Sequence, residues 1–405
     1  MKILWIARTC PYPANDGEKL RVLNLLKMLS VQHELTVIFR VKDQEELTGV
    51  AELQKFCKEV YGVVVPKPRG TIDKIRWLMP FLFSRYPISL CTVFFRAISD
   101  MLIQISATRH FDVVQVEHSS LAIYLDHVRF EGNPVKVLTM HNIEYIRNAR
   151  ILKNSSFGVN KLYHFATQAY FQRWEIDVLN QFDDVIAMSN FDKSVLLEKN
   201  PKLSVHVVPN GVDVRGIPFQ PVETVTETVI FVASMDSDAN HDAAMYFIRD
   251  IWPLLRRLRP DLKVIFVGRY PQQELVAEHN GADITVTGKV NDVFSYYRIA
   301  SVAIVPLRSG GGTRLKILEA MATGTAVVST SVGCEGLDVE DGVNILVADT
   351  AENFAAAIEK TLVDDVFRRS LVTEARHLVE AKYDWDIIAK QHDIVYRQPI
   401  KHGCN

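Results

Sequence analysis

Short apolar runs rich in β-branched residues recur along the chain, separated by segments whose apolar positions repeat every three or four residues. This alternation is typical of parallel strands that are buried on both faces and connected by helices. It predicts an α/β fold with doubly wound parallel sheets. The predicted strands are Ile3–Ala7, Leu35–Phe39, Val60–Val65, Val113–Val116, Val135–Met140, Val185–Met188, Val205–Val208, Val229–Ala233, Lys263–Val267, Ile284–Val286, Val302–Val305, Ala326–Ser329 and Ile345–Val347.

One stretch, Pro209–Thr228, interrupts this alternation, because it contains three prolines and two glycines and has no hydrophobic period. It indicates a linker between two sheets. We predict a first domain over residues 1–212, a linker over 213–228, a second domain over 229–382 and a C-terminal helix over 383–405 that returns to the first domain. Two Rossmann-like domains facing across a cleft would bind ligands beyond the carboxyl ends of their strands.

Composition narrows the class of protein. A chain of 405 residues is too long for one ordinary core, and 48% hydrophobic with 23% charged residues fits a globular enzyme. A net charge of −2 argues against a nucleic-acid partner, which requires a basic face. The five cysteines are scattered, so we expect neither a disulfide framework nor a zinc site, and a cytoplasmic location.

Residues 67–96 combine basic side chains with aromatic ones, among them Trp77, Phe81, Phe83 and Phe94. The apolar part is too short to span a bilayer but suits insertion at a membrane surface. Packing of the same aromatic face within its own domain, or along an acceptor groove, fits the pattern equally well. The segment therefore leaves open a peripheral attachment to the inner face of the cell membrane.

The segment Ser309–Ala322, SGGGTRLKILEAMA, follows the predicted strand Val302–Val305 directly. The glycines Gly310–Gly312 allow close approach to the backbone, and a helical pattern begins just after them. Unpaired amides at a helix start can hold phosphate oxygens, and Arg314 and Lys316 add positive charge. Such a loop also serves tight packing alone, but the nearby cations favour an anion site.

Several loops together resemble those of family 4 glycosyltransferases of the GT-B architecture: Pro11–Arg21, His141–Glu144, Val207–Asp213, Asn240–Ala243 and Leu318–Ala322. The resemblance covers nearly the whole chain. It implies transfer of a sugar, with retention, from a UDP- or GDP-linked donor to a hydroxyl acceptor in surface polysaccharide or glycolipid assembly. A nucleotide-sugar 2-epimerase on the same fold, or glycosylation of a small natural product, remains an alternative.

The resemblance also implies residue roles. Glu319 would hydrogen-bond the ribose hydroxyls, His141 would face the donor sugar, and cations would stabilise the leaving diphosphate. The expected catalytic residues are His141, Lys316 and Arg269. The expected donor-binding residues are Gly17, Gly310, Gly311, Gly312, Thr313, Arg314, Leu315 and Glu319. The expected acceptor or cleft residues are Arg21, Glu117, His118 and Glu144.

One position departs from the family pattern, and one short stretch resembles a metal motif of the other large glycosyltransferase fold. Many members of the family carry two glutamates separated by seven residues, and the position that matches the first of them, eight before Glu319, is Gly311 here. Asp236 and Asp238 resemble an Asp-X-Asp metal motif, but a GT-B site balances the diphosphate with a helix start and cations. We therefore expect no metal and no cofactor besides the nucleotide-sugar substrate.

Overall fold

The computed structural model of the protein describes residues 1–41, 45–65, 84–146, 159–310 and 314–398, with positions 79, 81, 148 and 149 between them. It forms two compact units. The first contains residues 1–209 and the chain from Ile388 onward, and the second contains Asn210–Ile387.

The first unit is built on a seven-stranded parallel sheet with the order β3-β2-β1-β4-β5-β6-β7. Its strands are β1 Lys2–Thr9, β2 Glu34–Val41, β3 Glu59–Val64, β4 Val113–Glu117, β5 Val135–Met140, β6 Asp184–Ala187 and β7 Val205–Val207. Its helices are α1 Gly17–Leu29, α2 Thr48–Leu53, α3 Arg96–Thr108, α4 Val159–Val178 and α5 Asn190–Lys199, with 3-10 turns at Glu45–Leu47, Ile88–Thr92, Ser119–His127 and Leu179–Gln181.

The strand order of the first sheet reverses between β1 and β4. Ile3 of β1 lies opposite Leu35 on one side and Val113 on the other, so β1 is an interior strand of the sheet. Its apolar side chains are almost fully buried because helices cover both faces of the sheet. Loops beyond the carboxyl ends of strands at such a reversal are where ligands bind in open α/β sheets.

The second unit has a six-stranded parallel sheet with the order β10-β9-β8-β11-β12-β13, which reverses between β8 and β11. Its strands are β8 Thr228–Val232, β9 Lys263–Val267, β10 Ile284–Val286, β11 Val302–Val305, β12 Ala326–Ser329 and β13 Leu346–Val347. Its helices are α6 Asp238–Tyr246, α7 Trp252–Leu258, α8 Gln273–Ala277, α9 Phe294–Tyr297, α10 Leu315–Thr323, α11 Ala351–Val363 and α12 Asp365–Lys382, with a π-helical turn at Phe247–Ile251 between α6 and α7. A last helix, α13 Trp385–Tyr396, ends the described chain.

The two parallel sheets confirm the predicted fold class, and each of the thirteen predicted strands is present within two residues of its expected bounds. Hydrophobic runs of this kind are decided locally, because a strand covered on both faces needs apolar residues at every position. The strands can therefore be predicted from the sequence without knowing their order in the sheet.

The aperiodic stretch after β7 packs in the second unit. Val212, Val214 and Ile217 are buried in its core. The Val212 amide donates to the Tyr383 carbonyl at 2.8 Å, and an Arg376 guanidinium nitrogen donates to the Val214 carbonyl at 3.0 Å. These contacts fix the start of the stretch against α12 and the residue that follows it.

The C-terminal helix α13 contributes its last two turns to the first unit. His392 is fully buried and stacks on Trp5 of β1 with ring centroids 5.6 Å apart. Tyr396 packs edge-on against His392 and is also buried. The hydrophobic face of this helix therefore covers β1, an interior strand of the first sheet.

Most of the aromatic segment 67–96, including Trp77 and Phe83, lies outside the described residues. Within the described part, Phe81 is buried, Phe94 stacks on Tyr124 at 5.5 Å, and Phe95 lies under the Arg40 guanidinium. These rings pack within the first unit. No helix among the described residues is both long and apolar enough to cross a membrane.

Candidate functional site

In the second unit, the predicted anion loop joins β11 to α10. Gly310 has a φ of +112°, a conformation that favours glycine over residues with a Cβ. The next predicted residues, Gly311, Gly312 and Thr313, lie outside the described residues. Helix α10 begins at Leu315, and no side chain among the described residues caps its start. The first amides of a helix point away from it along its axis and can bind an anion.

Lys316, in the first turn of α10, extends toward the end of the neighbouring strand β8. Its ammonium donates to Asn240 Oδ1 at 2.8 Å and lies 4.7 Å from the centroid of the Phe231 ring. Within the described chain it forms no ion pair with a carboxylate. Burial and the nearby Arg314 charge lower the pKa of Lys316 to about 7, although Glu319 opposes this shift.

Asn240 is a site residue that sequence reasoning did not select. It lies in the first turn of α6, accepts from Lys316, and donates through Nδ2 to the Ser234 carbonyl at 2.8 Å. It thereby connects the loop after β8 with the start of α10. The available signal was the resemblance of Asn240–Ala243 to the family, but that resemblance gave Asn240 no role.

Arg269 follows β9 and reaches the same loop. Its Nε donates to Ser234 Oγ at 3.1 Å, and its carbonyl accepts from the Met235 amide at 3.0 Å. The residue before it, Gly268, has a φ of +155°, and a Cβ there would overlap the Ala233 carbonyl oxygen. The ends of β8 and β9 therefore approach so closely that only glycine fits.

Glu319 lies one helical turn after Lys316 on α10 and is half-buried. Burial raises the pKa of Glu319 to about 7, and the Lys316 charge only partly offsets this effect. The two groups thus place one acid and one base on the same face of the helix. Both change protonation near neutral pH, which makes their charge sensitive to a bound ligand.

Arg314 differs from the other predicted cations because its side chain is buried, with 6% exposure. Its guanidinium donates to the Val332 carbonyl at 2.8 Å and lies 3.9 Å from the Glu335 carboxylate. Leu315 is partly buried and packs on the hydrophobic core. The Arg314 side chain therefore binds the loop after β12, and its positive charge lowers the pKa of Lys316.

In the first unit, predicted residues meet at the carboxyl ends of β4 and β5. His141 Nε2 lies 2.5 Å from Glu117 Oε2, and Glu117 is fully buried. Burial, together with the neighbouring His118 charge, lowers the pKa of His141 even though Glu117 opposes the shift. His141 is therefore a neutral imidazole at pH 7.

His118 packs against His141 with ring centroids 4.7 Å apart, and it has a φ of +90°. Its Nε2 lies 3.0 Å from Glu18 Oε2, a carboxylate in the first turn of α1 that sequence reasoning did not select. Burial opposes ionisation of this pair. Mutual attraction nevertheless raises the pKa of His118 and lowers that of Glu18 to about 2. The pair connects the turn after β4 with the first turn of α1, which begins at Gly17.

Arg21 and Glu144 occupy positions at the edges of this cluster. Arg21 is fully buried, donates through Nη1 to the Pro209 carbonyl at 2.5 Å, and is attracted by Glu117. The Glu144 amide donates to Glu175 Oε1 at 3.3 Å, and Glu175 also accepts from Ser119 Oγ at 2.6 Å. Through these contacts Glu175, which sequence reasoning also did not select, joins the turns after β4 and β5. Burial raises the pKa of Glu175 to about 7.

The two units each assemble part of the predicted set. In the second unit, Lys316 and Glu319 lie on one face of α10, and Arg269 contacts Ser234, whose carbonyl accepts from Asn240, the partner of Lys316. In the first unit, His141 contacts Glu117 and packs against His118. In the described part of the chain, no cluster of three or more His, Cys, Asp or Glu residues has the arrangement of a metal site. Asp236 accepts from Ser234 Oγ at 2.5 Å, and Asp238 begins α6.

Two family models match successive parts of the chain. The model described as Glycosyltransferase Family 4 matches residues 17–215, and the model described as Glycosyl transferases group 1 matches residues 226–364. The first match contains the His141 cluster, and the second contains Lys316, Arg269 and Glu319.

Individual proteins are also similar to this chain. An uncharacterized 44.6 kDa protein in the cps region of Klebsiella pneumoniae is 22% identical over 95% of this chain and 96% of its own length. A phosphatidyl-myo-inositol mannosyltransferase of Mycolicibacterium smegmatis is 30% identical over 47% of this chain and half of its own length. The crystal structure of Anabaena Alr3699/HepE in complex with UDP and glucose superposes with a TM-score of 0.67 at 16% identity, covering 98% of this chain and 100% of that one.

Proposed function

The chain belongs to glycosyltransferase family 4, and we propose that it transfers a sugar from a UDP-linked donor to a hydroxyl group of a saccharide or lipid-linked acceptor. A transferase is the enzyme class of its family and of its mannosyltransferase relative. The choice of UDP is supported by the similarly folded Anabaena protein, whose structure holds UDP and glucose. GDP is the second choice.

The observation that carries the proposal is the Lys316 ammonium at the start of α10, held by a neutral amide oxygen. When the bond between the sugar and the diphosphate breaks, negative charge develops on the leaving phosphate oxygens. Fixed positive groups that meet this charge lower the barrier because they bind the transition state more tightly than the donor. We propose Lys316, Arg269 and the first amides of α10 for this role.

These groups contribute by different amounts. A helix start stabilises a nearby anion by roughly 0.3–2 kcal/mol, whereas a charge-assisted hydrogen bond contributes about 1.5–3 kcal/mol. The helix amides alone are therefore too weak to stabilise the leaving diphosphate, and Lys316 supplies the larger part of the stabilisation. Arg269 is held by Ser234 Oγ, a neutral hydroxyl, so its remaining guanidinium donors can turn to a phosphate oxygen.

Glu319 is proposed to bind the ribose of the donor. A carboxylate accepts hydrogen bonds through both oxygens, which matches two neighbouring hydroxyl groups. Because burial raises its pKa to about 7, Glu319 reaches this carboxylate form above neutral pH, and a ligand that donates two hydrogen bonds favours it further.

His141 is proposed to contact the transferred sugar, as the family resemblance implies. Its position after β5, with one ring nitrogen against Glu117, leaves the opposite ring nitrogen for a ligand. We propose retention of anomeric configuration, with the leaving phosphate deprotonating the acceptor. A glycolipid acceptor is supported by the mannosyltransferase relative and by the basic and aromatic residues of segment 67–96.

A donor screen tests the proposal. Thermal shifts should be measured with UDP- and GDP-linked sugars for the wild type and for Glu319→Ala, and we expect a UDP-sugar to stabilise only the wild type. The selected donor should then be offered to lipid-linked and soluble acceptors, with the product anomer assigned by NMR. An inverted anomer contradicts retention, and a shift with GDP-sugars alone contradicts the choice of base.

The same assay separates the competing enzyme class. Turnover of the nucleotide sugar in the absence of any acceptor, with a changed sugar and intact diphosphate, identifies a 2-epimerase. Donor binding with no product from any acceptor or from water contradicts an enzymatic function.

A further inference from the structure

A chain of buried polar side chains runs from the C-terminal helix to His141 within the first unit. Tyr396 donates through its hydroxyl to Gln115 Oε1 at 3.0 Å, and Gln115 Nε2 donates to Glu117 Oε1 at 3.1 Å. The other oxygen of Glu117 meets His141 Nε2. Tyr396 and Gln115 are 281 positions apart, so only the folded chain connects them.

Glu117 is not placed to touch a ligand. Its side chain has zero exposure, and each of its oxygens has a protein partner. A buried carboxylate is tolerated only where such partners and a compensating charge replace water. Arg21, which is also fully buried, supplies that positive charge.

The orientation of the Gln115 amide follows from its neighbours. A carboxylate oxygen accepts but does not donate, so the atom of Gln115 that faces Glu117 must be nitrogen. The same nitrogen lies 2.7 Å from Thr139 Oγ1, and the amide oxygen on the other side accepts from Tyr396. Turning the Gln115 amide over would place its oxygen against the Glu117 carboxylate and the Val116 carbonyl, which only accept, so both of these hydrogen bonds would be lost, whereas the Thr139 and Tyr396 hydroxyls could reverse their roles.

The same reasoning fixes His141. Because the carboxylate of Glu117 only accepts, Nε2 of His141 must carry a proton. The ring is neutral at pH 7, since burial and His118 lower its pKa, so Nδ1 carries a lone pair. The His118 ring, 4.7 Å away, restricts rotation of the imidazole.

We propose that Glu117 is a positioning residue that holds His141 with its proton on Nε2 and its lone pair on Nδ1, and that Tyr396 and Gln115 hold Glu117 in turn. His141 then accepts a hydrogen bond from a hydroxyl group of the sugar and does not donate one. This last step rests on the proposed function, whereas the protonated nitrogen of His141 does not.

Glu117→Gln is the decisive variant because it keeps the shape and replaces one acceptor oxygen by a donor. The carbonyl of the introduced amide must face the Gln115 amide nitrogen, so the nitrogen of the introduced amide faces His141 Nε2. That contact requires a lone pair on Nε2, which moves the proton to Nδ1. Long-range ¹H–¹⁵N NMR of the imidazoles, assigned with His141→Gln, reports which nitrogen is protonated.

We expect the proton on Nε2 in the wild type and on Nδ1 in Glu117→Gln. The matched control is Glu175→Gln, which neutralises another buried glutamate of the first unit and should leave the proton on Nε2. A proton on Nδ1 in the wild type overturns the proposal even if no variant folds. An unchanged tautomer in folded Glu117→Gln overturns it as well.

A double variant that exchanges the side chains at positions 115 and 117 tests whether the wild-type tautomer can be restored. In Gln115→Glu with Glu117→Gln, the amide nitrogen introduced at position 117 can donate to the new carboxylate at position 115, and the amide oxygen again accepts from His141 Nε2. We expect kcat/KM for the donor to fall roughly 3- to 10-fold in Glu117→Gln and to recover in the swap, together with the Nε2 proton. Recovery of the tautomer without recovery of kcat/KM keeps the positioning role and refutes the contact with the sugar. Recovery of neither overturns the positioning role.

Discussion

The Lys316 ammonium rests on a neutral amide oxygen and an aromatic ring, whereas the nearby arginines 308 and 314 lie against carboxylates. A cation that is already paired must give up its partner before it binds a phosphate, which cancels most of the gain. Lys316 does not have to break an ion pair, because its hydrogen-bond partner is the neutral Asn240. Its lowered pKa is the consequence of burial beside another positive charge, and a diphosphate would raise it again.

Replacing Lys316 should therefore weaken donor binding strongly. We expect Lys316→Met to lower the affinity for UDP about 10- to 150-fold, which corresponds to one charge-assisted hydrogen bond. Isothermal titration calorimetry measures the effect. The matched control is Arg308→Met, which removes an exposed cation paired with Asp242 and should change the affinity about threefold or less. Equal losses in the two variants would remove Lys316 from the diphosphate site.

The pH dependence of UDP binding tests the protonation of the same side chain. Glu319→Gln removes the second titrating group of α10, so that Lys316 alone changes charge. Burial and Arg314 lower the pKa of Lys316 to about 7 in the wild type while Glu319 opposes this shift, so removing the Glu319 charge lowers the pKa further. The free variant therefore lacks most of this positive charge above pH 7. The UDP phosphate is already fully ionised there, because its second pKa is about 6.

In Glu319→Gln we therefore expect the affinity for UDP to fall with rising pH between about 7.5 and 9, by at most about tenfold per pH unit. The double variant Lys316→Met with Glu319→Gln should show a flat profile over this range. A slope that persists in the double variant would assign the titration to another group.

Among the elements of the second unit, the ends of β8 and β9 determine where Arg269 stands. The strands approach so closely at Gly268 that the Ala233 carbonyl occupies the place of a side chain. The Met235 amide then bonds to the Arg269 carbonyl, which sets the guanidinium beside Ser234. The position of the Arg269 side chain is thus determined by the close approach of β8 and β9 at Gly268.

Gly268→Ala should be strongly destabilising, by about 3 kcal/mol or more, because both the backbone conformation and the contact with Ala233 become unfavourable. Urea unfolding measures this loss. Gly281→Ala is the control, since Gly281 also has a positive φ, +69°, but no atom lies within 4 Å of an added Cβ. We expect a loss of about 1–2 kcal/mol there. Similar losses at both positions would show that the close approach is relieved at little cost.

For the whole molecule, the C-terminal helix contributes to both units along its length. Trp385 lies against Gly211 in the second unit, while His392 and Tyr396 pack on the first. The first turn of the helix therefore belongs to the second unit and its last two turns belong to the first. Within the first unit, the hydrogen-bonded side chains Tyr396, Gln115 and Glu117 extend from this helix to His141.

Tyr396→Ala should destabilise the first unit by about 3–5 kcal/mol, because it removes a buried ring and leaves Gln115 without its donor. Ile394→Ala, on the exposed face of the same helix, should cost less than about 1 kcal/mol. Hydrogen exchange of the β1 amides distinguishes the two, since β1 lies under His392. Unchanged protection of β1 in Tyr396→Ala would contradict a stabilising role of the helix for this sheet.

The sequence alone determined the thirteen strands, their grouping into two α/β sheets and the glycine loop before α10, because these follow from local hydrophobic patterns and from backbone freedom at glycine. It also singled out Lys316, Arg269 and His141 as candidates. Only the tertiary structure decided their partners: Asn240 for Lys316, Ser234 for Arg269, and the buried Glu117 for His141. These pairings join residues from different strands and helices, and the hydrogen bond that supports Glu117 through Gln115 spans 281 positions, so no local pattern specifies them. Packing of the sheets sets which polar groups are buried together, and burial in turn sets their protonation.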